Sequence, residues 1–242
     1  MKQSGLGAAA LAYLGREAVR YMDMILPIRR GTADVICADE GGVLLRETVS
    51  GGYFVTAGTL DDVERLLGSI DAAPDLVAAH QDFAAAACER RFGLKRVMRC
   101  HQAVWMGGEP PQIELPRLHI APLPVDMAEA VCAIYTYDIG LDYIEDRLRA
   151  GAIVGAYAGD ALAGFMGMHK EGSMGMLEVM PEYRRAGVAT QLIAHLCGEV
   201  IGQGLTPFSQ FGLKNEASRR LHERLGFVIS WDDVYWLEAV ME

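Results

Sequence analysis

The pattern of apolar and polar positions divides the chain into two runs of regular elements, separated by a stretch with no period of either kind. That stretch, residues 107–117, mixes glycine, proline and charge and predicts a linker. Upstream, the pattern predicts a helix over residues 7–21. Short strands follow over 34–38, 43–48 and 53–57, broken by glycine-rich turns at 39–42 and 50–52. Thr59, followed by Asp61, Asp62 and Glu64, marks a helix start, because a hydroxyl cap and an acidic first turn satisfy the amides exposed there. Leu66, Leu67 and Ile70 supply the buried side of that helix. A helix over 82–92 and a strand over 96–106 complete this half.

Downstream, a strand over 118–121 precedes helices over 126–135 and 141–150. Three strand-like runs, 153–158, 162–169 and 174–180, are separated by tight turns and predict an antiparallel meander. From 185 to 200 the spacing of Val188, Leu192, Ile193, Leu196 and Val200 gives one buried helical face. A strand over 208–213, a helix over 216–225 and a strand over 230–237 follow. Both halves therefore run strands, helix, strand, helix, strand, and a length of 242 residues suits two lobes. The expected lobes are residues 1–106 and 118–242, each of α/β (α+β) class.

Composition narrows the function. With 51% hydrophobic and 22% charged residues the chain has ample material for a core. Thirty-two acidic against 22 basic residues give a formal charge of −10, which repels a phosphate backbone, so no nucleic-acid partner is expected. Arg16, Glu17 and Arg20 interrupt the N-terminal alanine-rich stretch, and no run approaches the roughly 18 apolar residues of a membrane span, so a cytoplasmic protein without a membrane partner is expected. Cys37, Cys88, Cys100, Cys132 and Cys197 form no CxxC pair and read as reduced thiols, with no metal site. A homodimer stays open.

The chemistry concentrates in residues 179–190, Val-Met-Pro-Glu-Tyr-Arg-Arg-Ala-Gly-Val-Ala-Thr, a small-residue turn between a strand and an amphipathic helix. The first amides of a helix lack intrahelical partners and carry the positive end of its dipole, so they suit a pyrophosphate. Gly187 allows close approach, Ala189 keeps the next turn clear, and Arg184 and Arg185 add charge.

This segment resembles the cofactor motif of the GNAT superfamily, Arg/Gln-x-x-Gly-x-Gly/Ala, through Arg184, Gly187 and Ala189, with Val179 and Pro181 also in family positions. Residues 215–227, Asn-Glu-Ala-Ser-Arg-Arg-Leu-His-Glu-Arg-Leu-Gly-Phe, are similar to the family's later Asn-x-x-Ala-x-x-Leu-Tyr-x-Lys-x-Gly-Phe motif. The resemblance covers about residues 117–238. It implies a central mixed, mostly antiparallel sheet flanked by helices, and acyl transfer from acyl-CoA, with acetyl-CoA expected, to a primary amine of a small molecule, amino acid or peptide. The upstream lobe, the Pro-Glu-Tyr-Arg wording at 181–184 and Trp231 and Trp236 resemble the glycine N-acyltransferase-like branch. Members of that branch precede the working lobe with a smaller degenerate GNAT-like lobe, and no phosphate-binding turn is visible before residue 107.

The resemblance further implies site roles. Leu177 and Val179 would offer backbone groups to the pantetheine arm, while Arg184, Arg185, Ala186, Gly187, Val188, Ala189 and Thr190 would surround the diphosphate. Asn215 would cap the later helix and, with Ser218, touch the cofactor. The amine attacks directly, so no cysteine nucleophile is needed and Cys197 reads as helix packing. A base must collect the amine proton. Relatives often carry a glutamate where Ser173 stands, which leaves Glu178, Glu171, His169 or water as alternatives. Strand alternation places Glu178 on the face opposite Ser173 unless a bulge intervenes. His222 stands in place of a tyrosine that relatives aim at the leaving thiolate, which makes it the candidate acid. A CoA-binding regulatory protein without turnover is the competing reading. A Rossmann domain is disfavoured because no Gly-x-Gly-x-x-Gly turn is present.

Overall fold

The computed structural model describes residues 2–114, 118–137 and 139–240. Leu115, Pro116 and Arg117 of the expected linker lie outside the described residues. Two compact units form, and they do not follow chain order: the first gathers Met1–Val104, Gln210–Glu223 and Phe227–Glu242, the second Trp105–Ser209 and Arg224–Gly226.

In the first unit, α1 (Lys2–Leu14) and α2 (Met22–Arg30) precede β1 (Ala33–Asp39), β2 (Gly42–Glu47) and β3 (Tyr53–Ala57). Then come α3 (Leu60–Leu67), β4 (Leu76–Ala79), α4 (Asp82–Phe92) and β5 (Lys95–Val104). The first three strands are an antiparallel meander and β4 runs parallel to β3. The last strand of the chain, β11 (Val228–Glu238), pairs antiparallel with both β4 and β5 and therefore belongs to this unit. Its Tyr235 and Leu237 join Leu44, Val55, Leu66 and Val77 in one core. Two elements here were not expected from the pattern, α2 and β4.

The second unit contains β6 (His119–Pro122), α5 (Ala128–Ile134), α6 (Leu141–Arg149), β7 (Ile153–Ala158), β8 (Ala161–Met168), β9 (Met174–Val179) and α7 (Val188–Gly202). β6 to β9 pair antiparallel in sequence order, and β10 (Phe208–Gly212) meets β9 in parallel through Ser209 and Met174. One sheet face is covered by α5 and α6, whose Val131, Ile144 and Leu148 pack on Ile153, Phe165 and Met176. The other face carries α7. Gly164 allows its close approach, since a methyl group there would stand 3.1 Å from the Val188 side chain and 2.6 Å from the Glu178 carbonyl oxygen. β10 continues into the first unit, followed by α8 (Glu216–Leu225).

After its added first strand, β6, the second half of the chain repeats the order of the first: two helices, three antiparallel strands, helix, strand, helix, strand. No helix of the described residues is long and apolar enough to cross a membrane.

Candidate active site

β9 ends at Val179 and the chain makes a single 3-10 turn over Pro181–Tyr183 before α7. Arg185 (φ +64°) and Gly187 (φ +81°) are both left-handed, and Gly187 is the N-cap. A non-glycine residue with positive φ is held there by its surroundings at a cost of about 1 kcal/mol or more. The first helical bond runs from the Gln191 N–H to the Gly187 carbonyl at 3.1 Å. The amides of Val188, Ala189 and Thr190 consequently lie in the turn that has no intrahelical acceptor, and among the described residues no side chain caps the helix. Ala186 is exposed and Ala189 and Thr190 are half-buried, so only small groups border these amides. Arg184 and Arg185 are exposed, and the Arg184 Nε–H reaches back to the Val179 carbonyl at 3.3 Å. The segment can hold an anion of phosphate type.

Directly before this turn, β9 is bulged. Gly167 faces Gly175, yet Phe165 faces Glu178, so β9 carries one extra residue between those pairs, and Met176 there has φ +50°. The bulge resets the alternation. Since paired residues share a face and Phe165 and Gly167 are two apart on an unbroken strand, Gly175 and Glu178 both lie on the face covered by α5 and α6. On its other edge β9 meets β10 at Met174. From Gly175 to Val179 that edge has no strand partner among the described residues, so the side of Leu177 and Val179 away from β8 is not paired to a strand.

The α5 and α6 side of β9 is polar. The Glu178 carboxylate accepts the Thr136 backbone N–H at 3.0 Å and also the Thr136 hydroxyl. The Tyr135 oxygen accepts the Met176 N–H, and burial pushes the Tyr135 phenol up. His169 Nδ1 lies 2.9 Å from the Tyr143 hydroxyl, whose oxygen accepts the Lys170 N–H at 3.4 Å. Glu171 is buried and accepts the Ser173 hydroxyl. The structure therefore gathers the three expected bases around one strand. It also adds Tyr135, Thr136 and Tyr143, which the sequence reading passed over. Three consecutive hydroxyl side chains at 135–137 after a short helix were the available signal.

Asn215, Ser218 and His222 belong to the first unit. Asn215 Oδ1 accepts the Ser218 N–H at 3.0 Å and caps α8. His222 is buried between Phe211, stacked at 5.7 Å, and Phe227, edge-on at 4.9 Å. Its Nδ1–H donates to the Ser218 carbonyl at 2.8 Å, while Nε2 is buried without a partner. Burial lowers its pKa, opposed only by that hydrogen bond. A neutral imidazole with its proton on Nδ1 has a lone pair at Nε2 and nothing to donate, which argues against the acid role expected for His222.

The first unit lacks the features that make the second receptive. Its parallel pair ends at Val55 and Ala79, and beyond it the Gln81 side chain donates to the Thr56 hydroxyl at 2.8 Å and accepts the Ala57 N–H at 3.3 Å. The following helix, α3, is capped by Thr59, whose hydroxyl oxygen takes the Asp62 N–H at 3.2 Å, and its first turn carries Asp61 and Asp62. An anion there meets a capped Asp62 amide and two carboxylates where α7 offers open amides and arginines. In α7, burial pushes the Cys197 thiol up to about 12, which removes it as a nucleophile at neutral pH.

Residues 153–237 match the family model described as FR47-like protein. An X-ray structure of a Drosophila protein is similar over 99% of this chain and 97% of its own, at 15% identity and a TM-score of 0.71. A GCN5-related N-acetyltransferase from Kribbella flavida is similar over 93% of this chain and 96% of its own, at 12% identity and a TM-score of 0.57. The chain has a GNAT fold. An acetyltransferase from the GNAT family of Colwellia psychrerythraea shares it over 95% of this chain and 97% of its own, at 12% identity and a TM-score of 0.51. These likenesses are to the GNAT fold at large and stop short of the glycine N-acyltransferase-like branch. No curated protein sequence matches the chain. Within the GNAT fold, the bulged β9 and the uncapped start of α7 are consecutive in sequence, so one strand and one helix of the second unit carry both features.

Proposed function

We propose that this chain transfers an acyl group, with acetyl the expected one, from acyl-CoA to a primary amine of a small molecule, amino acid or peptide. The observation that carries the reading is the turn between β9 and α7, where Arg185 and Gly187 adopt left-handed conformations ahead of three amides that neither the helix nor a side chain satisfies. Those amides and the exposed Arg184 and Arg185 would take the diphosphate, each charge–dipole contact contributing about 0.3–1 kcal/mol. The edge of β9 at Leu177 and Val179 that lacks a strand partner would hold the arm that ends in the thioester. Attack by the amine at the thioester carbonyl needs no enzyme nucleophile, and the thiolate leaves without a proton from His222.

Two measurements test this. Calorimetry with acetyl-CoA should show binding, and a free-thiol assay across a panel of amines should show release that depends on the amine. Absence of binding would overturn the proposal. A CoA-binding regulatory protein is the second reading, favoured by the aprotic Nε2 of His222 where an acid was expected. Binding with no amine-dependent thiol release would establish that reading instead.

A further inference from the structure

We infer that His169 is the group that takes the proton from the acceptor amine, with Tyr143 as the residue that positions it; this rests on the acyl-transfer reading above.

His169 follows β8 directly and stands at the start of the tight turn into β9, fixed by its N–H to the Ser173 carbonyl at 2.9 Å and its carbonyl from the Gly172 N–H at 3.0 Å. The ring lies over Gly175, so close that a methyl group there would come within 2.5 Å of Nε2. Gly175 is the residue before the bulge at Met176 and lies on the same face as Glu178. Nε2 is thus delivered beside the one stretch of β9 whose other edge is unpaired. The ring is half-buried and Nε2 has no hydrogen-bond partner among the described residues.

The other two carboxylate candidates are committed elsewhere. Glu178 Oε1 accepts two hydrogen bonds from Thr136 and is engaged in holding the chain after α5. Glu171 is buried and takes the Ser173 hydroxyl within the turn.

Tyr143 on α6 sets the tautomer. If Nδ1–H donates to the phenol oxygen, which also accepts the Lys170 N–H, the lone pair stands on Nε2. Burial holds the Tyr143 phenol protonated, so it takes no proton from the ring at neutral pH. The charged groups around the pair are Asp146 and Arg147 of α6, Lys170, whose Nζ lies 3.3 Å from Asp146, and Glu171. The ammonium form of the acceptor gives one proton to Nε2, and the neutral amine nitrogen forms the C–N bond as the carbonyl π pair moves to oxygen. Collapse of the adduct breaks the C–S bond, the second amine proton ends on the thiolate, and the imidazolium returns its proton to solvent.

The test uses the full chain, acetyl-CoA, and glycine, glutamate, putrescine, tyramine and glycylglycine as acceptors. His169→Gln should lower kcat about 10²-fold and remove the acidic limb of the kcat/KM profile, with the Kd for acetyl-CoA unchanged within about twofold. Tyr143→Phe should keep that limb but displace it, and should move the imidazole nitrogen NMR shifts toward the Nε2–H tautomer. A His169→Gln variant that retains its kcat and its acidic limb would overturn the assignment while leaving acyl transfer standing. Wild-type protein that gives no heat with acetyl-CoA would instead overturn the acyl-transfer reading at its root. Binding without thiol release from any of the five amines would overturn the assignment of a base.

Discussion

Glu178 on β9 and Thr136 just beyond α5 are joined twice, through the Thr136 backbone N–H and its hydroxyl, both given to the same carboxylate oxygen. Beside them, Tyr135 takes the Met176 N–H at the bulge. The chain after α5 is thereby held onto β9 at the two residues that follow and make the bulge. Glu178 acts there as an acceptor of hydrogen bonds, and an acceptor can be supplied without a charge.

Glu178→Gln keeps an acceptor oxygen, so its kcat should stay within about threefold of wild type, whereas loss of a general base removes about 10² or more. Glu178→Ala loses the acceptor. It should raise KM for the amine severalfold and speed hydrogen exchange at the Thr136 amide, as expected when a bond of about 0.5–1.5 kcal/mol is lost. A hundredfold fall in kcat for Glu178→Gln, measured by thiol release, would return Glu178 to the position of base.

At the start of α7 the anion site can be filled without disturbing the fold. Ala189 lies in the first helical turn, where a carboxylate interacts favourably with the dipole and the free amides. Ala189→Asp should hold or slightly raise the melting temperature and weaken acetyl-CoA binding at least tenfold, because the new carboxylate occupies the amides and repels the diphosphate. Unchanged affinity by calorimetry would remove those amides from the binding site.

What was legible in the sequence follows from how local each feature is. The meander, the Thr59 cap and the Gly187 turn depend on residues a few positions apart, and the observed strands at 153–158, 161–168 and 174–179 lie within a residue or so of the expected ones. β4 was missed because Val77, Ala78 and Ala79 are buried together, which erases the alternation that marks a half-buried strand. α2 was missed because Pro27 sits inside it. Gly175 stands beside the bulge in β9, but the residue that takes the left-handed conformation is Met176, which no local turn chemistry announces. The place of β11 in the first unit is a long-range pairing with β4 and β5, which no local pattern encodes. The Tyr143 and His169 contact spans 26 residues, and only the folded sheet brings it about.

His222 gives a prediction on pH. Its pKa is lowered in the folded protein from the ordinary value of 6.5, because burial penalises the charged ring. As pH falls below about 6.5 the unfolded chain takes up a proton at this position and the folded chain does not, so folding stability declines by up to about 1.4 kcal/mol per pH unit until the folded pKa is reached. Above about 6.5 the contribution vanishes. His222→Phe keeps the packing against Phe211 and Phe227 and should abolish this part of the slope. Urea midpoints of the two proteins from pH 8 to pH 5 measure it; parallel curves would show that His222 is not held neutral.

The last prediction concerns stoichiometry. Apart from β6, both halves of the chain share one order of elements, and if both bound a CoA thioester calorimetry would count two per chain. In the first unit, however, Gln81 bridges the end of β3, Thr59 caps the Asp62 amide of α3, and Asp61 and Asp62 place negative charge where a diphosphate would sit. Three obstacles act together, and relieving one should not open a site. Acetyl-CoA should therefore bind once per chain, and Thr59→Gly, which removes only the cap, should leave that number at one. The same variant should lower stability by a few tenths to 1 kcal/mol, in keeping with the loss of a helix cap. Two molecules bound per wild-type chain would mean that the first unit presents its amides after all.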